Sequence, residues 1–148
     1  MTPDVARVLH SLSAELVDMA PKIQPAYCSA QLAFMSRLLT AAAESWDGAA
    51  FDLIEENRAI RRLFTQTLPL IDDADLKARL QAASVSEDEN LRISALQAAN
   101  EAQRLLMIEA HAVVELIDSD AGRDADTAIW REITASVRRR QRTSDMYR

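Results

Sequence analysis

The stretch from Ile93 to Ile117, ISALQAANEAQRLLMIEAHAVVELI, decides the fold. Ile93, Leu96, Met107, Val114 and Ile117 fall at one phase of a period near 3.6, and Asn100 and His111 occupy the same phase. That spacing predicts a long amphipathic helix with one apolar stripe. Just upstream, Ser86 with Glu89 three residues on has the form of a capping box, so the helix is expected to start there and run to about Asp118. At 1.5 Å per residue it would span about 45 Å.

Working outward, every neighbouring segment repeats the period. Upstream, Ala50, Leu53, Ile54, Asn57, Ile60, Phe64, Leu68 and Ile71 form the stripe of another helix, which Pro69 is expected to end or kink. A short helical segment, Asp73 to Ala83, follows it. Before it, Asp47-Gly48 predicts a break closing a helix from about Pro25 to Trp46, with Cys28, Leu32, Met35, Leu39, Ala42 and Trp46 on one face. The first helix is expected from Pro3, capped by Thr2, to about Ala20, with Val5, Val8, Leu9, Leu12, Leu16 and Met19 as its stripe and Pro21 as its stop. Downstream, Ser119 to Asp124 reads as a turn, and a last helix from about Ala125 carries Ile129, Trp130, Ile133 and Val137. Nothing alternates with period two over strand length. The prediction is an all-α, up-down antiparallel bundle of about five principal helices plus one short one, in a single domain over 1–148.

Composition excludes several function classes. The longest apolar runs fall far short of the ~18 residues a membrane span needs, and no basic-then-apolar leader opens the chain, so a water-soluble, cytoplasmic protein is expected. Cys28 is the single cysteine, which rules out an internal disulfide and a cysteine-based zinc site; its place on an apolar stripe reads as a small buried hydrophobe. Neither histidine has a glutamate three residues before it, as a di-iron bundle would need, and no His-Glu-x-x-His motif occurs. With only two glycines, Gly48 and Gly122, there is no phosphate loop or dinucleotide fingerprint. No metal, no cofactor and no catalytic constellation is expected.

Charge is uneven. The net charge is −6, yet residues 131–148 carry +4 and the other 130 residues −10. A basic, frayed tail from about 138 is expected, with the acidic body repelling nucleic acid and leaving an acidic partner surface, or a second copy, as the tail's counterpart. Trp46 and Trp130, near helix ends, read as plugs of the bundle, and His10 as a surface residue.

The most specific feature is an internal echo. Asn57-Arg58-Ala59-Ile60-Arg61-Arg62-Leu63 and Asn100-Glu101-Ala102-Gln103-Arg104-Leu105-Leu106 share Asn-x-Ala-x-Arg-x-Leu at the same phase of two helices. A buried amide without a partner costs about 1–3 kcal/mol, so Asn57 and Asn100 are expected to be satisfied in an interhelical network with Arg61 and Arg104 at i+4. The alternative is a polar pocket in which Asn57, Arg61, Asn100 and Arg104 bind a carboxylate or phosphate, with His111 tuning affinity near neutral pH.

The segment Glu55 to Arg61, the stretch Asn100 to His111 and the order of helices resemble small uncharacterised bacterial all-helical proteins, some associated with acyl-CoA dehydrogenase and phosphotransferase-like neighbours. The resemblance covers the central half of the chain and brings no catalytic motif. These readings together imply a non-enzymatic bundle that acts by protein association, as homodimer or accessory subunit. A bundle binding a small molecule or acyl group is the alternative.

Overall fold

The computed structural model describes residues 4–141. Its fold is an all-α bundle, and no strand occurs among the described residues. The helices are α1 (Val5–Met19), α2 (Ala26–Thr67), the short α3 (Ala74–Ser84), α4 (Ile93–Val114) and α5 (Asp120–Gln141). Single 3-10 turns follow α1 at Ala20–Lys22 and α2 at Leu68–Leu70, each carrying a proline in its first turn. Pro21 and Pro69 therefore stop helices as the sequence predicts, because a proline ring cannot continue the hydrogen-bond ladder.

Four boundaries differ from the sequence reading. Asp47-Gly48 does not break the chain: α2 is one 42-residue helix. Among the described residues no glycine has positive φ, so Gly48 contributes only its weak helix propensity and not a helix-ending conformation. The cap of α1 is Asp4, whose carboxylate accepts from the Arg7 amide at 3.3 Å. Ser86 closes α3 instead of opening α4: its backbone N–H and its hydroxyl both donate to the Ala83 carbonyl, at 3.2 and 2.7 Å. Helix α4 then starts at Ile93, seven residues later. Finally α5 begins at Asp120, because the Ser119 hydroxyl accepts from the Gly122 amide at 3.1 Å and caps the helix.

The chain divides into two compact units, one within its first 49 residues and one spanning Ala50–Arg139. In the second unit Ile60, Phe64, Ile71, Leu80, Met107, Val114 and Ile129 pack as one apolar core. These come from the two stripes read most firmly in the sequence, with α3 and α5 closing over them. Arg79 of α3 pairs with Glu109 of α4 at 2.6 Å, and His111 of α4 meets Asp126 of α5 at 2.7 Å. Given the short connections, both contacts require antiparallel neighbours. Trp130 is half exposed and stands edge-on to the His111 ring at 5.4 Å, so it flanks a histidine and does not plug the bundle.

The first unit is built differently. Helices α1 and α2 turn back on each other through Ile23 to Pro25, and their seam is made of small residues. The Ser13 hydroxyl lies 2.9 Å from that of Ser36 and 2.8 Å from that of Thr40, and donates to the Ser36 carbonyl at 3.0 Å. The register that pairs Ser13 with Ser36 also brings Ala20 opposite Ser29 and Ala6 opposite Ala43, one small residue every seven on each helix. Small side chains at that spacing allow close approach of two helix axes. They also leave the larger side chains outside the seam. Trp46, expected as a plug, is likewise half exposed.

Candidate functional site

In the Ala50–Arg139 unit, the echoed asparagines meet. Asn100 Nδ2 donates to Asn57 Oδ1 at 3.0 Å, and both residues are buried. Asn57 Nδ2 in turn donates to Asp88 Oδ1 at 3.0 Å and to the Leu96 carbonyl at 3.4 Å. Each amide thus interrupts its apolar stripe because its partner does the same on the facing helix, and neither is left unsatisfied. Gln103, with its amide oriented for it, donates to the Asn57 carbonyl at 3.0 Å and accepts from Arg61 at 3.3 Å.

The two arginines of the echo have separate partners. Arg61 holds Asp88 through two bonds, 2.5 and 3.3 Å, with side chains only 11% and 7% exposed. Its guanidinium keeps the Asp88 carboxyl below its ordinary pKa, against the opposing effect of burial and with help from Asn57. Arg104 reaches Glu56 at 3.4 Å. Glu56 is buried and also accepts from the Ser136 hydroxyl at 3.0 Å, while Arg139 lies 3.9 Å away and pairs with Glu132. Burial raises the Glu132 carboxyl above its ordinary pKa, opposed by the Arg139 pairing. Helix α5 continues through Arg138 and Arg139, and the rest of the basic segment expected as a tail, 142–148, lies outside the described residues.

Of the five residues the sequence grouped, Asn57, Asn100 and Arg61 form one network through Asp88, while Arg104 pairs with Glu56 in a second cluster with Ser136 and Arg139. His111 stands apart, against Asp126 and Trp130. Beside Arg61 a cleft of about 320 Å³ is lined by Asp88, Ala99, Ala102, Gln103 and Leu106. Its charge is already balanced: an anionic ligand would have to displace Asp88 from Arg61. Asp88, Glu56, Gln103 and Ser136 were missed by the sequence reading. The available signal was an excess of donors, since two asparagines and two arginines on buried faces require carboxylates nearby.

In the first unit the notable feature is exposure. Val5, Val8, Leu12 and Met19 on α1 are 38–50% exposed, and on α2 Met35 and Leu38 are 53% and 39% exposed. All but Leu38 belong to the stripes that the sequence assigned to the core, whose Leu9, Leu16, Leu32 and Leu39 are partly buried. The exposed members lie outside because the seam between α1 and α2 is occupied by Ala20, Ser13, Ser36 and Ala43 instead. In an antiparallel pair, residues rotated from the seam in the same sense fall on the same side. The stripe of α1 and Met35 of α2 are rotated that way, and so share one face, whereas Leu38 lies on the side of α2 away from the seam. Further round α2, Tyr27, Phe34 and Met35 border an apolar groove of about 410 Å³. Cys28 is partly buried and unpaired with any other cysteine.

Among the described residues no group of three or more His, Cys, Asp or Glu side chains is placed to hold a metal ion, and no helix is long and apolar enough to cross a membrane. No protein-family model, curated protein or solved structure matches the chain.

Proposed function

We propose that the protein acts by association, and that the apolar face of the α1–α2 hairpin is the surface it uses. The observation that carries this is the half-exposed stripe Val5, Val8, Leu12 and Met19, continued by Met35. A contiguous apolar patch of more than a few hundred Å² on a folded chain marks an interaction surface, because leaving it in water forfeits about 25 cal/mol for each Å² that a partner would cover. A binder of carboxylate or phosphate through Arg61 and Arg104 is the weaker reading. Asp88 and Glu56 already neutralise both guanidiniums, and exchanging a buried partner carries a desolvation cost.

The test is site-specific photo-crosslinking in living cells. A photoreactive residue at Met35, on the face, is expected to give an adduct of higher mass, and one at Glu44 is expected to give none. Absence of any adduct from face positions would sink the association reading.

A further inference from the structure

We infer that the occupant of this face is a second copy of the chain, seated so that α1 packs antiparallel on its counterpart about a two-fold axis at Leu12. The inference rests on the association reading above and adds the identity and register of the partner. Its first support is the spacing of the stripe. Val8 and Leu16 lie four residues either side of Leu12, and Val5 and Met19 seven. Reversing the helix maps these five positions onto one another, with Leu9 at the edge of the stripe falling opposite Glu15, and a self-mapping patch is what an isologous interface demands. Leu12 would then meet Leu12 of the partner subunit, Val8 would meet the partner's Leu16, and Val5 the partner's Met19.

The second support is charge. Asp4, the N-cap of α1, and Lys22, in the 3-10 turn after it, stand at opposite ends of the stripe, with Glu15 on the flank between them. In antiparallel helices related by a two-fold axis, one flank faces the same flank of the other copy, so Asp4 stands near Lys22 of the partner subunit and the pairing occurs twice. A parallel pairing would instead set this flank against the opposite flank of the other copy, and the Asp4–Lys22 pairing would be lost. The sequence therefore discriminates between the two orientations.

Area is the third support. The exposed portions of Val5, Val8, Leu12, Met19 and Met35, with the accessible remainder of Leu9 and Leu16, amount to on the order of 500 Å² per copy, or about 1,000 Å² for the pair, the least expected of a specific interface. The seam within one hairpin buries only small side chains, so the pairing of two hairpins supplies the apolar layer that one hairpin lacks. Four helices would surround it, a common solution for short amphipathic helices.

The test uses the full chain. Light scattering and sedimentation equilibrium are expected to give twice the chain mass for the wild type. Leu12→Glu, which places two carboxylates at the axis, should weaken the pair on the order of a hundredfold, whereas Ala14→Glu on the far side of α1 should leave it intact. Because a charge substitution can also unsettle a helix, cysteine crosslinking in a Cys28→Ser background provides an independent reading. Leu12→Cys should form a disulfide-linked dimer on mild oxidation. Val5→Cys should not link to itself but should link to Met19→Cys when the two proteins are mixed. A dimer that survives Leu12→Glu, or a Val5→Cys chain that links to itself, overturns the arrangement. A monomer at every concentration overturns self-association; an in-cell adduct of some mass other than twice the chain would then leave the association reading standing, and no adduct at all would remove both.

Discussion

At the scale of single residues, the second unit is organised around Asn57, which gives its side chain to three partners, Asn100, Asp88 and the Leu96 carbonyl. Replacing Asn57 by Leu strands the Asn100 amide in a buried site and leaves Asp88 Oδ1 with Arg61 as its donor. Each of Asn57→Leu and Asn100→Leu is expected to cost about 1–3 kcal/mol in urea unfolding. The double variant should cost less than the two together by about 0.5–3 kcal/mol, since the amides satisfy one another. Strictly additive losses would mean that they do not pair. Asp88 makes a second prediction. Its carboxyl is held below its ordinary pKa chiefly by Arg61, so the stability it contributes is present above the unfolded value near 3.9 and is lost as pH falls through the lower folded value. Asp88→Asn should cost about 3–5 kcal/mol at pH 7, by leaving Arg61 buried without its counter-charge. The gap between variant and wild type should then narrow as unfolding is measured toward pH 3; a gap that stays constant would assign Asp88 no role in the acid sensitivity. The asparagine pairing was legible in the sequence, because two amides at one phase of two apolar stripes need each other. Asp88 was not, because Ser86 and Glu89 around it imitate a helix start, and only the fold reveals that Arg61 and Asn57 draw this segment out of helical form.

At the scale of elements, the two glycines show how little a residue type says without its surroundings. Gly48 lies inside α2, flanked by the strong helix formers Ala41 to Glu44 and Ala49-Ala50, and the helix passes through it. A sequence reading weights glycine as a terminator because it can take the positive φ of a common C-cap, a conformation that Gly48 does not adopt. Gly48→Ala is expected to raise stability by about 0.5–1 kcal/mol through backbone entropy alone. Gly122 is the opposite case. A Cβ there, in the first turn of α5, would lie 2.4 Å from the Ile117 carbonyl oxygen and 2.9 Å from Ile117 Cβ, in the link that leads in from α4. Gly122→Ala should therefore lower stability by about 1–3 kcal/mol, since the backbone itself must shift. Urea unfolding of the two variants checks both signs at once. Two gains, or two losses, would mean that local backbone geometry is not what separates the positions. The stripes of α4 and of the later part of α2 were legible for a different reason: they repeat over five or more turns, and Ile60, Phe64, Leu96, Met107 and Val114 are buried where that period puts them. The stripes of α1 and early α2 are as regular, yet they face outward. Period alone says that a face is apolar, not which surface covers it.

At the scale of the molecule, the two units differ in what holds them together. The second buries Phe64, Ile60, Ile71, Leu80, Leu96, Val114 and Ile129 almost completely, and a set of large side chains like that stabilises by about 1.5–3 kcal/mol each. In the first, the buried residues are Ser13, Ala20, Ser36, Ala41 and Ala43, whose side chains remove little apolar area from water. Helices of this length are marginal by themselves, and most of their stability comes from the packing of an apolar face. With that face uncovered, α1 should open locally far more often than α4, and the free energy of opening should depend on whatever covers Leu12 and Met35. Amide hydrogen exchange reads this directly. For a self-associating hairpin, protection of α1 amides should rise as the protein is concentrated about a hundredfold, because binding to the closed form stabilises it by mass action. Protection of α4 amides, fixed by the apolar core beneath them, should not change. In the Leu12→Glu variant the concentration dependence of α1 should vanish while α4 behaves as before. If α1 is as well protected as α4 at the lowest concentration, the hairpin is stable without a partner, and its exposed stripe would need another explanation than the surface of association argued for it.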